Sequence, residues 1–437
     1  MSILPYPGLK PAKAPWVDSI PEHWEERRLR SLASVSNSNV DKKSYDNQEA
    51  VRLCNYTDVY YNDTISKPDG FMIATASPDE IKEFSLREGD VIITKDSEDP
   101  TDIGVPAYVN SDMPGVVCGY HLSVLRTDNP TTSAYLHFSI MSHFNRAHFY
   151  VNTPGVTRFG LNQNTIKNTL VYLPPFSEQA AILNWIRRET ARIDGLIEKK
   201  ARFIALLNEK EKAKISHFVR LGVDPDAKII DVGVEWRGKV PAHWTRGRMK
   251  NHFRPQKRQG YETLTVLSVY REYGVIEKAS RDDNINKTPE DLSKYQLVNP
   301  NDLVINKMKA WQGSMGIAGT QGITSPDYVV MEPVGEHDPR YMHHYLRARP
   351  MPWVYRLISN GIRTDQWRLE PEKFLILPIF LPPLDEQRAI ADEIDRELDR
   401  IRNLITKTEQ SIALLKEKRA ALITAAVTGK IDVRSAA

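Results

Sequence analysis

Leu173-Pro-Pro-Phe-Ser-Glu-Gln179 returns later in the chain as Leu381-Pro-Pro-Leu-Asp-Glu-Gln387. Each copy opens a long polar–apolar segment, and the register between the copies holds without a gap. Ile193 aligns with Ile401, Leu196-Ile197 with Leu404-Ile405, Ile204-Ala-Leu-Leu207 with Ile412-Ala-Leu-Leu415, and Glu209-Lys210 with Glu417-Lys418. A duplication of this length governs the reading of the rest of the chain. Apolar residues recur at Ile182, Ile186, Ile193, Ile197, Ile204, Leu207, Ile215 and Phe218, then at Ile390, Ile394, Ile401, Leu404, Leu415, Leu422 and Ala426. Steps of three, four and seven draw one stripe along a helix, narrow enough for a coiled-coil seam. The prolines cannot lie inside the helix and mark its start. Ser177 and Asp385 are the expected N-caps. About 40 residues at about 1.5 Å each give a rod of roughly 60 Å, which needs a partner for its stripe. The other copy, packed antiparallel, is the expected one.

The duplication extends beyond the helices. Trp16-Val-Asp-Ser-Ile-Pro-Glu-His-Trp24 is echoed by Trp236-Arg-Gly-Lys-Val-Pro-Ala-His-Trp244. The chain is therefore head, helix, head, helix. The expected bounds are 1–175 for the first head, 176–221 for the first helix and 222–235 for a linker. The second head is 236–381, the second helix 382–428 and the tail 429–437, with Gly429 as C-cap. In the first head, Arg52–Tyr60 reads as a strand into a turn and Gly89–Lys95 as a turn into a buried strand. Gly115–Leu125 has strand character, Tyr135–Phe149 fits one short helix, and Gly155–Gln163 is a polar loop. The second head repeats the plan with other residues: Leu264–Tyr270, Asn301–Lys307, Ser325–Met331, a helix over Tyr341–Arg347, and a polar loop over Gly361–Arg368. The helices match closely and the heads match only in plan, so a fixed frame carries two variable heads.

With 437 residues the chain has room for two or three domains. A net charge of +3 leaves nucleic-acid binding to local basic surfaces. Cys54 and Cys118 are too few for a disulfide framework, which favours a reducing cytosol. The opening Met1-Ser-Ile-Leu-Pro-Tyr-Pro is not a signal peptide, and Phe374–Leu384 is too short and proline-rich to span a membrane. A soluble, cytoplasmic protein is expected.

Catalytic signals are weak. Leu173-Pro-Pro-Phe176 superficially resembles the Pro-Pro-aromatic motif of amino methylases, but leucine replaces the Asn or Asp that would bind the amino group. Pro68-Asp69 with Glu80-Ile-Lys82 matches the loose spacing of some nucleases, a pattern common by chance. No P-loop is present. His343-His344 is an adjacent pair with diverging side chains, for which a surface role is expected. No catalytic residue, metal site or cofactor is assigned.

The doubled LPP-x-x-EQ start and the pair of Pro-x-His-Trp motifs resemble the specificity subunits of type I restriction–modification systems. So do Asn301–Gln312, Ser325–Val330 and the tail Val427-Thr-Gly-Lys-Ile-Asp-Val433. The resemblance implies an α+β fold: two α/β target recognition domains related by a pseudo-two-fold and separated by two long antiparallel coiled-coil helices. It also implies a non-catalytic chain that reads a bipartite, asymmetric site in double-stranded DNA, one half per head. It further implies docking of two methylase subunits and, optionally, two restriction subunits. The first head departs from the pattern: Thr94-Lys-Asp-Ser-Glu-Asp stands where the second has Asn306-Lys-Met-Lys-Ala-Trp.

Base readout needs Arg, Lys, Asn, Gln or acidic groups on loops. The candidate DNA contacts are Lys95, Ser97, Arg158, Asn162 and Gln163 in the first head. In the second they are Lys307, Lys309, Trp311, Gln312, Arg363, Thr364, Gln366 and Arg368. Trp311 and Trp367 could be core or rim. Ile193, Ile197, Ile204, Leu207, Ile401, Leu404, Ile412 and Leu415 are the candidate helix–helix or subunit interface. Two rival readings are a coiled-coil scaffold whose heads bind proteins, and a stand-alone nuclease or methylase.

Overall fold

The computed structural model describes residues 5–14, 16–66, 70–281, 288–361 and 367–436. The duplicated segments form two long helices, Phe176–Leu221 and Leu384–Val427. The chain divides into two units, residues 1–200 with 410–437, and residues 201–409. Each unit holds one head, the half of a long helix that starts from that head, and the far half of the other long helix. The mixed α+β class expected from the sequence holds.

Ser177 and Asp385 do not cap these helices, which begin one residue earlier. The backbone of the second proline takes that place. Pro175 O accepts from Glu178 N at 2.9 Å, and Pro383 O accepts from Gln387 N at 2.9 Å. The glutamine amides close the start from the other side: Gln179 Nε2 donates to Pro174 O at 3.0 Å and Gln387 Nε2 to Pro382 O at 2.9 Å. The Pro-Pro pair thus supplies the helix N-terminus with backbone acceptors fixed by its rings.

The Glu of each start does a further job. Glu178 accepts from Trp24 Nε1 at 3.0 Å, bonds His23 Nε2 at 2.7 Å and takes the Tyr6 hydroxyl as well. Glu386 accepts from Trp244 Nε1 at 3.1 Å and bonds His243 Nε2 at 2.7 Å. The two repeated motifs in each half are therefore one lock. Strand pairing tightens it: Glu25–Arg28 runs antiparallel to Leu170–Leu173, and Thr245–Arg248 to Pro378–Leu381. Each head is closed at its base by this strand pair, directly where the long helix departs.

The sheet of the first head has the order Ser34–Asn37, Leu122–Arg126, Val91–Thr94, Pro106–Val109, Thr64–Ile65. The second head repeats the first four positions as Phe253–Gln256, Tyr328–Pro333, Leu303–Asn306 and Met315–Ile317. The central strands Val91–Thr94 and Leu303–Asn306 are buried along their length, as their unbroken apolar runs require. The first head adds a sheet of Val116–Cys118, Glu49–Cys54 and Met72–Ala76 with its own core. Gly115–Leu125 is thus two strands in two sheets, with Gly119 between them; a side chain there would meet Cys54 O at 2.8 Å. The stretch Arg52–Tyr60 ends in a helical turn, Tyr56–Tyr60, because Asn55 and Asp58 form a capping box. The helix expected over Tyr135–Phe149 is two helices, Pro130–Met141 and His143–Val151. They break at Ser142, an extended residue whose hydroxyl bonds Ser139 O.

The arm and tail pack in the first unit. Leu9–Pro11 pairs with Ser19–Pro21, and Val433 is buried in the core that holds Trp24. In the second unit the supposed linker makes the same pairing, Ile229–Asp231 with Lys239–Pro241. Tyr135 Oη donates to Val427 O at 3.2 Å and Tyr341 Oη to Val219 O at 3.3 Å, so each head also holds the end of a long helix in the same way.

His343 and His344 are half-buried in the second head, less exposed than the surface role expected for them implies. Burial and the Arg347 guanidinium push His343 down to about 3, and burial lowers His344 to about 4. His337 is likewise lowered by burial to about 4. In the first head burial lowers His137 to about 4 and lowers His148. These imidazoles are neutral when folded and bind protons once unfolded, so stability is full above about pH 6.5 and falls as pH drops toward 4. Each of His137, His337, His343 and His344 costs about 1.4 kcal/mol per pH unit in that window. The second unit is therefore expected to lose hydrogen-exchange protection sooner between pH 7 and pH 5. Equal loss at Val91–Thr94 and Leu303–Asn306, after correction for intrinsic rates, would contradict this.

Candidate nucleic-acid interface

In each head two loops meet on one side of the central strands. In the first, Asp96–Ser97 pairs antiparallel with Phe159–Gly160, and Leu161 N donates to Lys95 O at 2.7 Å. In the second, Leu369 N donates to Lys307 O at 3.0 Å. Lys95 and Lys307 follow equivalent strands, so these are the same hydrogen bond. The polar loops singled out in the sequence as separate stretches are thus joined into two platforms, 95–98 with 158–163 in the first head and 307–312 with 367–369 in the second.

Chemistry on the first platform is ionic. Asp96 accepts from Arg158 Nη2 at 3.3 Å and from His121 Nδ1, and Arg158 Nη2 lies 3.2 Å from His121 Nδ1. The Arg158 side chain is 59% exposed while Asp96 is 15% exposed, so the carboxylate is sunk and the guanidinium faces out. Gly155 makes the tight turn beneath Arg158: a side chain there would meet Arg158 O at 2.2 Å. Lys95 points inward. Its Nζ donates to Ser38 O at 2.8 Å and lies 4.9 Å from the Tyr120 ring centre, and burial lowers its pKa. Ser97 Oγ accepts from Asp99 N at 3.2 Å and from Tyr56 Oη at 3.5 Å. Asn162 caps the helix Gln163–Asn168 through Thr165 N at 2.8 Å. Gln163 is engaged by Val35 O at 2.6 Å and Lys167 Nζ at 3.0 Å. Of the five candidates in this head, Arg158 carries an outward cationic donor; Asn162 is exposed but spends its Oδ1 on a helix cap, and Gln163 serves the head's own structure.

The second platform is aromatic. Trp311 and Trp367 meet edge to face with centres 5.6 Å apart, and Arg356 lies 4.9 Å from the Trp367 ring centre. Both tryptophans are half-buried, and Trp311 Nε1 donates to Met308 O at 3.1 Å. Arg368 is exposed, with Nε 3.2 Å from Met308 Sδ and Nη2 3.7 Å from Asp327 Oδ1. Lys309 is exposed; Lys307 and Gln312 are half-buried. Arg363, Thr364 and Gln366 lie outside the described residues. Asp96, His121, Asp327 and Arg356 were not picked out in the sequence. Strand register finds two of them: Thr94 pairs with Leu122 and Asn306 with Tyr328, which puts His121 and Asp327 at the same place.

Along the long helices, Ile193, Leu207 and Ile401 are buried, and Ile197, Ile204, Ile412 and Leu415 are half-buried. Leu404 is 40% exposed and is not seam, and its counterpart Leu196 is 41% exposed. Each lies three residues beyond a buried isoleucine, off a stripe too narrow to include it. Leu206 and Leu414, also equivalent, are 59% and 66% exposed.

The motifs that suggested catalysis have structural partners. Pro174 O is taken by Gln179, and Glu80 caps Ser77 at the start of Pro78–Phe84. Pro68 and Asp69 lie outside the described residues. Among the described residues no group of three metal-ligating side chains converges, and no helix is long and apolar enough to cross a membrane.

Residues 21–202 match the family model of the type I restriction modification DNA specificity domain. The first head and the start of the first long helix are therefore similar to the DNA specificity domain of type I restriction–modification systems. The chain is 22% identical over 433 residues to a protein of Methanocaldococcus jannaschii named as the type I restriction enzyme MjaX specificity subunit, covering 96% of each chain. The fold is similar to that of a chain from a type I R-M system studied for complex assembly and conformational transition. That match has a TM-score of 0.63 and 17% identity, over 94% of this chain and 99% of that one. It is also similar to the HsdS subunit of Thermoanaerobacter tengcongensis, with a TM-score of 0.50 and 17% identity over 94% of this chain and 98% of that one.

Proposed function

We propose that the chain is a DNA specificity subunit that reads a bipartite, asymmetric DNA site, one half per head, and directs a partner methylase to it without catalysing a reaction itself. The observation that carries the reading is the repeated platform. The same backbone hydrogen bond joins two loops in each head, yet ionic residues top one platform and aromatic residues the other. Equivalent scaffolds with unlike surfaces fit two unlike half-sites better than a palindrome. The outward leucines at equivalent places on the two helices support docking of two methylase subunits, with restriction subunits as optional further partners. The methylase would supply the S-adenosylmethionine pocket and flip the target adenine; this chain would supply the address.

Exchanging residues 245–372 for the second head of another specificity subunit tests this. The methylome of a host carrying the exchanged gene is expected to show one half-site replaced and the other retained. Replacement of both halves, or of neither, would contradict one-head-per-half reading.

A further inference from the structure

An arginine is held at the same place on both platforms, although it comes from a different register position in each. Leu161 and Leu369 occupy equivalent positions. Arg368 directly precedes Leu369, whereas Arg158 lies three residues before Leu161, and Gly160 stands where Arg368 would be. Both guanidiniums nevertheless contact the same two neighbours. One is the residue after the platform lysine, Asp96 or Met308; the other is the residue before the strand Leu122–Arg126 or Tyr328–Pro333, His121 or Asp327. Convergence from different sequence positions onto one spot is not expected of surface ion pairs formed by chance, which contribute little on their own.

We propose that Arg158 and Arg368 are the equivalent base-reading arginines of the two heads, each held ready by a positioning carboxylate, Asp96 in the first and Asp327 in the second. The proposal rests on the reading above that each head recognises one half-site. A planar guanidinium with its free edge outward suits the paired acceptors of a guanine, O6 and N7, in the major groove. The carboxylate fixes the fork before DNA arrives, so less side-chain freedom is lost on binding. The two heads differ in tightness. Asp96 is 15% exposed and backed by His121, whereas Asp327 is 68% exposed and 3.7 Å from its arginine. Asp96 should therefore matter more than Asp327.

The test uses the chain assembled with its methylase subunits. The wild-type site is read by methylome sequencing, and binding is then measured on duplexes carrying single base changes in either half. Asp96→Asn, nearly the same shape, is expected to lower discrimination about tenfold at one position of one half-site. The other half-site should be unchanged, which also shows that the variant is folded. Arg158→Lys should give a similar loss with an unaltered salt dependence, since the charge is kept. Arg158→Ala should lower the slope of log affinity against log salt by about one as well. The double variant Asp96→Asn with Arg158→Lys should lose little more than either alone. Asp327→Asn should act on the opposite half-site and more weakly. A uniform affinity change on every duplex, as loss of any surface charge would give, would overturn the proposal. Full discrimination retained in Asp96→Asn would do the same. If the wild-type complex itself showed no sequence preference, the reading of the whole chain would fall, and this inference with it.

Discussion

Glu178→Ala is expected to destabilise the first unit by about 3–5 kcal/mol, the range seen when one member of a buried polar group is removed. Glu178 is 6% exposed and is the shared acceptor for Trp24 Nε1, the Tyr6 hydroxyl and His23 Nε2. Trp24 is fully buried, so its N–H would be left with neither water nor acceptor. Burial and Glu178 together raise the Tyr6 phenol, which is therefore neutral and a donor at any ordinary pH. His23 is 40% exposed and can turn to water, so it adds little to the cost. Glu386→Ala removes a lesser version of the lock. Its carboxylate is 22% exposed and holds Trp244 and an exposed His243, with no tyrosine. A loss of about 1–3 kcal/mol is expected there. Glu178→Gln keeps one acceptor oxygen and should fall between wild type and Glu178→Ala. Denaturant unfolding followed by tryptophan emission and by hydrogen exchange of Glu25–Arg28 measures the difference. If Glu178→Ala and an exposed control such as Glu198→Ala unfolded at the same denaturant concentration, the lock would have no energetic weight.

The two motifs of this lock were both visible in the sequence, and their contact was not. A repeated Pro-x-His-Trp and a repeated Glu-Gln after two prolines stand out by duplication alone. Nothing local says that Trp24 and Glu178 touch across most of a head. Glutamate in the first helical turn reads as dipole compensation, a sufficient local reason that hid the long-range one. The long helices were legible to within a residue or two because their stripe persists. The starts were misassigned because Ser and Asp are good caps by propensity, whereas here the proline carbonyls already occupy that place. The platforms were legible as polar loops but not as joined pairs. Asn162 and Gln163 have the side chains of base readers, yet one caps a helix and the other bonds a neighbouring carbonyl. Asp96 lies inside the candidate loop 95–98, but nothing local in the sequence says which arginine it meets. His343 and His344 looked exposed because neighbours on a helix diverge, but that helix is packed closely enough to half-bury both.

Lengthening both long helices by four residues, after Lys200 and after Glu409, is expected to widen the gap between the two half-sites and leave their bases unchanged. These are the points at which each helix passes from one unit to the other. Four residues add about 6 Å of rise and about 40° of rotation to an α-helix. Duplex DNA advances about 3.4 Å per base pair, so the gap can grow by up to about two base pairs, and by less if the helices are inclined to the duplex. Both helices must be lengthened together, since an insertion after Lys200 alone would set Ile204 a full turn further from Ile193 and Ile197 than the equivalent Ile412 is from Ile401 and Ile405. The added residues should repeat the local pattern, with one apolar position, so that the seam continues. Rotation is the reason to expect a change in affinity as well. Two base pairs turn the duplex by about 70°, so heads rotated by about 40° would meet their grooves slightly out of phase. Binding should weaken even as the gap lengthens, and a three-residue insertion, which rotates the other way, should weaken it more. Methylome sequencing reads the gap directly. An unchanged gap in the doubly lengthened protein would mean that something other than the helix length sets the distance, and the heads would then have to be positioned by the bound methylase instead.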